Sequence, residues 1–409
     1  MTAPTTTDPA PDGRVRRPVR TPRHDPADRP LLVIWEATRA CALACVHCRA
    51  EAAPGRDPRE LDTDEATRLM EQVAGFGRPA PIFVITGGDC FERADLAELV
   101  RRGRALGLPV AVSPSGTARL TREALVVLRE AGVTSLSLSL DGADAATHDG
   151  FRRVPHTFAR TMAGWRTARE LGLKVQINTT VARHDVEQLP DIAALVHREG
   201  AMTWSGFMLV PTGRGADLGP LTAAEVEDVL NLFYDLGQVV PVKTTEGHHF
   251  RRVALQRTVL ERRGADHVAV LGLGPLYERL RARSIELGLL GAAERRRRPP
   301  ISVSSANGFV FVSHTGTVHP SGFLPVPAGN VRTAPLTEIY RTSKLFRALR
   351  DPARLQGRCG ACEYATICGG SRSRAYGATG DLFAEEPWCA YRPGSFPYAV
   401  DVEALLRSA

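Results

Sequence analysis

Apolar and polar positions along the chain repeat in a fixed order. "LLVIWEAT" (31–38) is a short apolar run, and "TDEATRLMEQVAGFG" after it has helical spacing, with Thr63 or Asp64 as the opening cap. The pairing recurs at "PIFVITGG" (81–88) before "RADLAELVRRGRALG", and at "LPVAVSPSG" (108–116) before "TREALVVLREAG". Three more runs, "VTSLSLSLDG" (133–142), "LKVQINTTV" (173–181) and "TWSGFMLVPTG" (203–213), bring the predicted strands to six. Strand–helix units of roughly 25–35 residues predict an α/β fold on a parallel sheet, its strands covered on both faces. Six units predict a partial (β/α)6 barrel over 30–235, open on one side and working at the C-terminal strand ends.

Outside that range the rhythm changes. Residues 1–29 are Pro, Thr, Asp and Arg without apolar periodicity, which predicts a disordered tail. Residues 236–300 read as a mostly helical bridging segment. At "ISVSSANGFVFVSHTGTVHP" (301–320) the period becomes two around "HTG", the pattern of a β-hairpin. A helix, "PLTEIYRTSKLFRALRD", and a cysteine-rich end follow, so a boundary near 300 separates a small α+β domain at 301–409.

Composition narrows the class. The 409 residues are 43% hydrophobic and 24% charged, as in a soluble globular protein. No apolar run approaches the ~18 residues of a membrane span, and the N-terminus lacks the apolar centre of a signal peptide, so the expected location is cytoplasmic. The net charge of +7 comes largely from scattered arginine, densest at Arg14–Arg23 and Arg295–Arg298. Without interleaved aromatic residues these read as solvated segments, with neither nucleic acid nor membrane as partner; an anionic small molecule remains compatible. Eight cysteines in such a chain point to metal or redox work.

Their grouping carries the chemistry. Cys41-x3-Cys45-x2-Cys48 lies in the loop after the first strand, Cys359, Cys362, Cys368 and Cys389 lie near the C-terminus, and Cys90 stands alone as a small buried hydrophobe. Three thiolates on a four-iron cubane leave one iron open to a substrate or cofactor; a zinc site completed by His47 is the alternative. The C-terminal four would close either a [4Fe–4S] cluster or a Zn(Cys)4 site.

The three-cysteine loop resembles the radical SAM superfamily signature, C-x3-C-x-Φ-C, with His47 where an aromatic ring usually lies against adenine. The resemblance covers roughly residues 30–210. It implies that the open iron chelates the amino and carboxylate groups of S-adenosylmethionine. One electron from the reduced cluster then breaks the sulfonium–C5′ bond, giving a 5′-deoxyadenosyl radical that takes hydrogen from substrate. The family's G-G-E after strand two corresponds to Gly87, Gly88 and Asp89, with Asp89 one methylene shorter toward the methionine amino group. "SLDG", with Ser139 and Asp141, matches a ribose- or carboxylate-contacting segment, although Ser139 reads equally as a strand-end turn cap. Arg152 matches an arginine that pairs with the methionine carboxylate, and Arg153 is the other candidate.

The C-terminal part resembles the SPASM or twitch extension. Full SPASM domains hold two clusters, and Ser321 and Arg372 stand where two ligands of the other cluster would be. The resemblance therefore implies one auxiliary [4Fe–4S] cluster on Cys359, Cys362, Cys368 and Cys389, and a ferredoxin- or flavodoxin-type electron donor. The pattern C-x2-C-x5-C-x20-C, with "LVPTGRG" (209–215), is similar to oxidoreductases of haem and dioxo-haem biosynthesis, which act on tetrapyrrole propionates. Arg214, Arg251, Arg252 and Arg257 then become candidates for holding an anionic substrate. His248 and His249 read either as polar surface or as haem-iron ligands. Two alternatives stand beside this one: a maturase of a ribosomally made peptide, and a non-catalytic iron–sulfur or zinc scaffold.

Overall fold

The computed structural model describes residues 18–291 and 297–407. Seven parallel strands follow one another in sequence order: β1 (Leu32–Glu36), β2 (Ile82–Thr86), β3 (Val110–Val112), β4 (Ser135–Ser139), β5 (Val175–Val181), β6 (Thr203–Met208) and β7 (Val242–Thr245). Six were predicted. β7 arises inside the segment read as helical, because four residues, "VKTT", with one buried position give no periodicity to detect.

Beyond them come β8 (Ser304–Ser305), β9 (Gly308–Val312), β10 (Thr317–His319) and β11 (Gly329–Asn330). The predicted hairpin is present as β9 and β10, paired antiparallel through Val312 and Val318. It also extends the barrel: β9 runs parallel to β1, with Val310 beside Val33, and the sheet crosses the boundary expected near 300. That pairing satisfies the N–H and C=O groups that β1 would otherwise present as an open edge.

Strand burial alternates. In β4, "SLSLS", Leu136 and Leu138 are buried while the serines are half-exposed, and β5, "VQINTTV", repeats the pattern. The expectation of strands covered on both faces holds for β3 and most of β6 but fails for β4 and β5, whose apolar side meets the helices and whose polar side lines an open lumen. Helices supply the outer layer. Thr63–Ala74 buries Ala66, Leu69, Met70 and Val73 at helical spacing, and its cap is Asp62, in a reciprocal box with Glu65, rather than Thr63 or Asp64. Trp35, Trp165 and Trp204 are fully buried in the continuous core beneath.

Residues 18–29 are packed rather than disordered. Arg20 N donates to Pro300 O at 2.8 Å, Val19 joins a small core with Leu255, and Tyr340 donates to Pro26 O. A segment with no periodicity of its own is ordered here by partners distant in sequence; residues 1–17 lie outside the described residues. Arg297, expected to be solvated, donates to Tyr234 O at 2.7 Å and pairs with Glu261 at 2.9 Å. The predicted helix after the hairpin is two, Leu336–Thr342 and Lys344–Arg350, broken at Ser343. Among the described residues no helix is long and apolar enough to cross a membrane.

Candidate functional site

The loop after β1 carries Cys41, Cys45 and Cys48 and is pinned from three sides. Gly88 N donates to Thr38 O at 2.8 Å and Asp89 N to Ala40 O at 2.7 Å, tying the loop to the end of β2. Val46 N donates to Phe151 O at 3.0 Å, and Arg214 N, in the turn after β6, to Cys48 O at 3.1 Å. The glycines of "TGGDC" make the first contact possible: a β-carbon on Gly87 would lie 2.4 Å from Thr38 O, and one on Gly88 2.5 Å from Ala40 O. The sequence reading gave these glycines to a ligand, but they are needed first to seat the cysteine loop.

Each thiol has a donor near its sulfur. Leu43 N lies 3.4 Å from Cys41 Sγ, Ala52 N 3.5 Å from Cys48 Sγ, and Arg152 Nη1 3.6 Å from Cys45 Sγ. Burial pushes the Cys41 thiol up to about 11, so at neutral pH it is protonated when nothing is bound to it. N–H groups aimed at sulfur are what a negatively charged cluster requires of its shell.

The thiols open onto a cavity of about 1040 Å³ at the C-terminal ends of β2–β6. Gly87, Gly88, Ser139, Arg152 and His47, the residues singled out from sequence, line it together with Thr86, Asn178 and Thr180 from lumen-facing strand positions. Asp89 does not. It is fully buried behind the loop, accepting from Thr117 Oγ1 at 2.6 Å, Phe91 N at 3.2 Å and Ser115 N at 3.3 Å, and its carboxyl is raised by burial. Losing one methylene keeps it on these local donors. Ser115 reaches the cavity wall instead, donating to Gly88 O at 2.6 Å.

His47 stacks on Phe151 with ring centroids 4.3 Å apart, and Phe151 stacks on His184 at 3.6 Å. Desolvation, then the Arg152 charge, lowers His47 to about 3, so its ring is neutral. Arg152 rather than Arg153 faces the cavity; Arg153 occupies a left-handed turn at the helix end. Arg152 is hydrogen-bonded to the buried Asp141 while its Nε has no partner. Burial alone would raise Asp141, but Arg152 outweighs it and holds the carboxyl well below the usual carboxylate range.

Among the described residues three arginines border this cavity and two are neutralised: Arg152 by Asp141, and Arg49 by Glu36 at 3.0 Å. Arg214 is the third, and its Nε and Nη2 are unpartnered. Phe207 and Phe323 stand on the same wall, the latter after the C-terminal hairpin. Arg251, Arg252 and Arg257, proposed from sequence as substrate contacts, are buried in the helix Phe250–Arg263 and serve elsewhere. Arg251 donates to Ile301 O, Val303 O and Ile367 O, Arg252 pairs with Glu227 and Arg257 with Asp235.

The other four cysteines border a second cavity, of about 440 Å³. Gly370 turns there at φ 62°, and a β-carbon on it would meet Cys359 Sγ at 3.3 Å. Glu386 N lies 3.3 Å from Cys359 Sγ and Gly370 N 3.5 Å from Cys368 Sγ; burial raises Cys368 to about 12 and Cys362 to about 11. Arg372 leans on Cys359 Sγ at 3.9 Å. Ser321 donates to Glu246 Oε1 at 2.9 Å, in a buried knot with Ser371 and Ser373 that closes the barrel onto the C-terminal residues. His248 and His249, read as surface or haem ligands, are both buried at the start of the helix Phe250–Arg263, next to this cavity; His248 is bonded to Gly370 O at 2.8 Å. Cys90 is buried and its thiol raised, as expected of an inert hydrophobe.

Comparison with known proteins agrees with this geometry. Residues 35–196 match the family model "Radical SAM superfamily". The chain is 40% identical over 367 residues to the AdoMet-dependent heme synthase of Methanosarcina barkeri, covering 89% of this chain and 97% of the relative. It is 41% identical over 372 residues to the enzyme of that name from Oleidesulfovibrio alaskensis, covering 90% and 89%. The fold is similar to that of anSMEcpe with bound AdoMet, at a TM-score of 0.60 and 15% identity over 92% of this chain and 96% of that one. An open-sided three-thiol loop at the mouth of a partial barrel, matched over nearly its whole length by such relatives, makes this chain a member of the radical SAM superfamily and an enzyme rather than a scaffold.

Proposed function

We propose that the chain converts propionate side chains of an iron tetrapyrrole in haem biosynthesis. The observation that carries the substrate class is the near-full-length similarity, at 40% identity, to enzymes named AdoMet-dependent heme synthase. Local chemistry supports it. A planar, carboxylate-bearing macrocycle offers a ring face to Phe207 and Phe323 and an anion to Arg214, which among the described residues has no counter-charge.

Cys41, Cys45 and Cys48 hold the [4Fe–4S] cluster that the family requires. When bound, the cluster and S-adenosylmethionine would supply the radical chemistry for removing a hydrogen atom from the propionate carbon β to the carboxylate. The chain's part is to bind and orient. Gly87, Gly88 and Ser115 border the place of the methionine amino end, with Asp89 supporting them from behind. Arg152 holds the Cys45 sulfur and turns its free Nε toward a carboxylate, while His47, backed by Phe151, offers a neutral face to adenine. Ser139, Asn178 and Thr180 give hydroxyl and amide groups suited to a ribose.

Cys359, Cys362, Cys368 and Cys389 hold one auxiliary [4Fe–4S] cluster, the glutamate–serine knot at Ser321 and the Arg372 side chain filling the places where full SPASM domains have further ligands. The four sulfurs border one cavity, and Glu386 N and Gly370 N lie near two of them, donors suited to the negative charge of a cluster. With four protein ligands it transfers electrons or holds the fold, and does not bind substrate. A cytoplasmic ferredoxin- or flavodoxin-type protein is the expected reductant.

Modification of a peptide is less supported, since relatives at about 40% identity carry haem-synthase names. The test is anaerobic reconstitution with iron and sulfide, then dithionite, S-adenosylmethionine and iron-coproporphyrin III. About eight irons per chain are expected for two clusters, with 5′-deoxyadenosine and a product lighter by one carbon dioxide and two hydrogens per converted side chain. 5′-Deoxyadenosine beside an unchanged tetrapyrrole would overturn the substrate class; zinc without cleavage would overturn the cluster assignment.

A further inference from the structure

Among the described residues that line the C-terminal cysteine cavity, one has buried side-chain polar atoms without a partner. Arg252 donates to Glu227 and Gln256, Arg358 to Glu385 and to Cys389 O at 2.8 Å, and Glu386 accepts from Ser371 N at 2.8 Å. His249 also lines the cavity. It is fully buried, and neither Nδ1 nor Nε2 has a hydrogen-bond partner. Leaving such a group unpaired is costly, and the cost is sustained when the partner belongs to the group the cavity holds.

The two adjacent histidines divide the work. His248 is bonded to Gly370 O and fixes the glycine turn that lets Cys359 face inward; His249, one residue on, faces the cavity. Four cysteines already supply the iron ligands, so His249 is not needed as a fifth. A neutral imidazole in this place carries one N–H donor, and beside the Glu386 carboxylate, which already accepts from Ser371 N, the cavity presents to it the sulfurs of the four cysteines.

Resting on the auxiliary-cluster reading above, we propose that His249 donates a hydrogen bond to a sulfur of that cluster and raises its reduction potential. Reduction adds an electron to the cluster, and an N–H directed at sulfur stabilises that extra negative charge. Arg252 and Arg358, which border the same cavity, act in the same sense. A cluster biased in this way accepts an electron leaving the substrate more readily than it donates one.

The test uses the full chain carrying Cys41→Ala, Cys45→Ala and Cys48→Ala, so that the auxiliary cluster alone is loaded, and compares it with the same chain bearing His249→Leu or His249→Gln. Iron content, the EPR signal of the reduced cluster and an anaerobic redox titration are read. About four irons are expected in all three. At the midpoint potential of the parent, the reduced-to-oxidised ratio of His249→Leu falls about tenfold with altered g values, and His249→Gln, which keeps an amide donor, falls less. Four irons with an unmoved midpoint would overturn the donor role. Loss of iron in both histidine variants would overturn it in favour of ligation. A parent without iron would overturn the auxiliary cluster itself and this inference with it.

Discussion

Replacing Gly213 by alanine separates the turn after β6 from the cysteine loop. Gly213 has φ 53°, a left-handed conformation that costs an alanine about 1 kcal/mol. Its β-carbon would lie 2.6 Å from Cys48 O, 2.7 Å from Arg49 O and 2.8 Å from Arg49 Cα, all backbone atoms that no rotamer change can move. Overpacking of this kind costs about 1–3 kcal/mol, giving about 2–4 kcal/mol in total. Undocking the turn relieves both strains and breaks the Arg214 N to Cys48 O bond. At 1.4 kcal/mol per factor of ten, the docked form then loses roughly 30- to 700-fold against the undocked one. The assay is 5′-deoxyadenosine formation against S-adenosylmethionine concentration, with iron counted in the same sample. Gly264→Ala is the control: φ is 62° there too, but no atom lies within 4 Å of its β-carbon. We expect kcat/KM to fall at least tenfold in Gly213→Ala and to hold in Gly264→Ala; equal values for the two would refute the clamp.

Asp141→Asn leaves Arg152 buried beside its former partner and lowers stability by about 3–5 kcal/mol, read as an earlier urea midpoint of the anaerobic holoenzyme. A midpoint within error of the parent would count against the pairing. Burial lowers His148 to about 4 and His248 to about 3. In the unfolded chain they titrate near 6.5, so the stability they contribute is whole above that pH and declines as pH falls toward their folded values. Between pH 6.5 and 5 each forfeits about 2 kcal/mol, and the melting temperature of the iron-free chain should drop over that interval; a flat profile would disprove it. Removing Cys359, Cys362 and Cys368 together should leave about four irons and unaltered uncoupled cleavage of S-adenosylmethionine, with tetrapyrrole turnover abolished. Persistence of turnover at that iron content would deny the auxiliary cluster any part in the reaction.

What the sequence disclosed depended on how local each signal was. The three cysteines span eight positions on one loop, and their spacing alone pointed to a loop that borders the barrel cavity. "SLSLS" and "VQINTTV" held more than was first read from them: a parallel strand that alternates polar and apolar residues has one face on an open lumen, which points to Ser139, Asn178 and Thr180. Arg252 and Arg257 misled because their partners, Glu227 and Asp235, sit on a separate helix, and no spacing in one segment announces a pairing with another. Asp89 was traced to the right loop with the wrong orientation, since Thr117 and Ser115, which claim its oxygens, follow the next strand. His249 was noticed only as half of a histidine pair; its burial is set by residues more than a hundred positions downstream.

The hydrogen bonding of β1 to β9 bears on how this chain comes to be made. Synthesis proceeds from the N-terminus at about 5–20 residues per second, so β1 leaves the ribosome well before its outer neighbour exists. Until β9 arrives, the first strand has one flank bare, the kind of template on which other chains add. Closure of the barrel therefore waits until more than 300 residues have been made, and this long-range pairing is a slow, late event. Exchanging C-terminal segments between relatives at residue 300 would cut through the sheet. A workable graft must carry β1 along with β9, and yields of soluble protein from chimaeras should follow the match between those two strands more closely than the match between their cysteines.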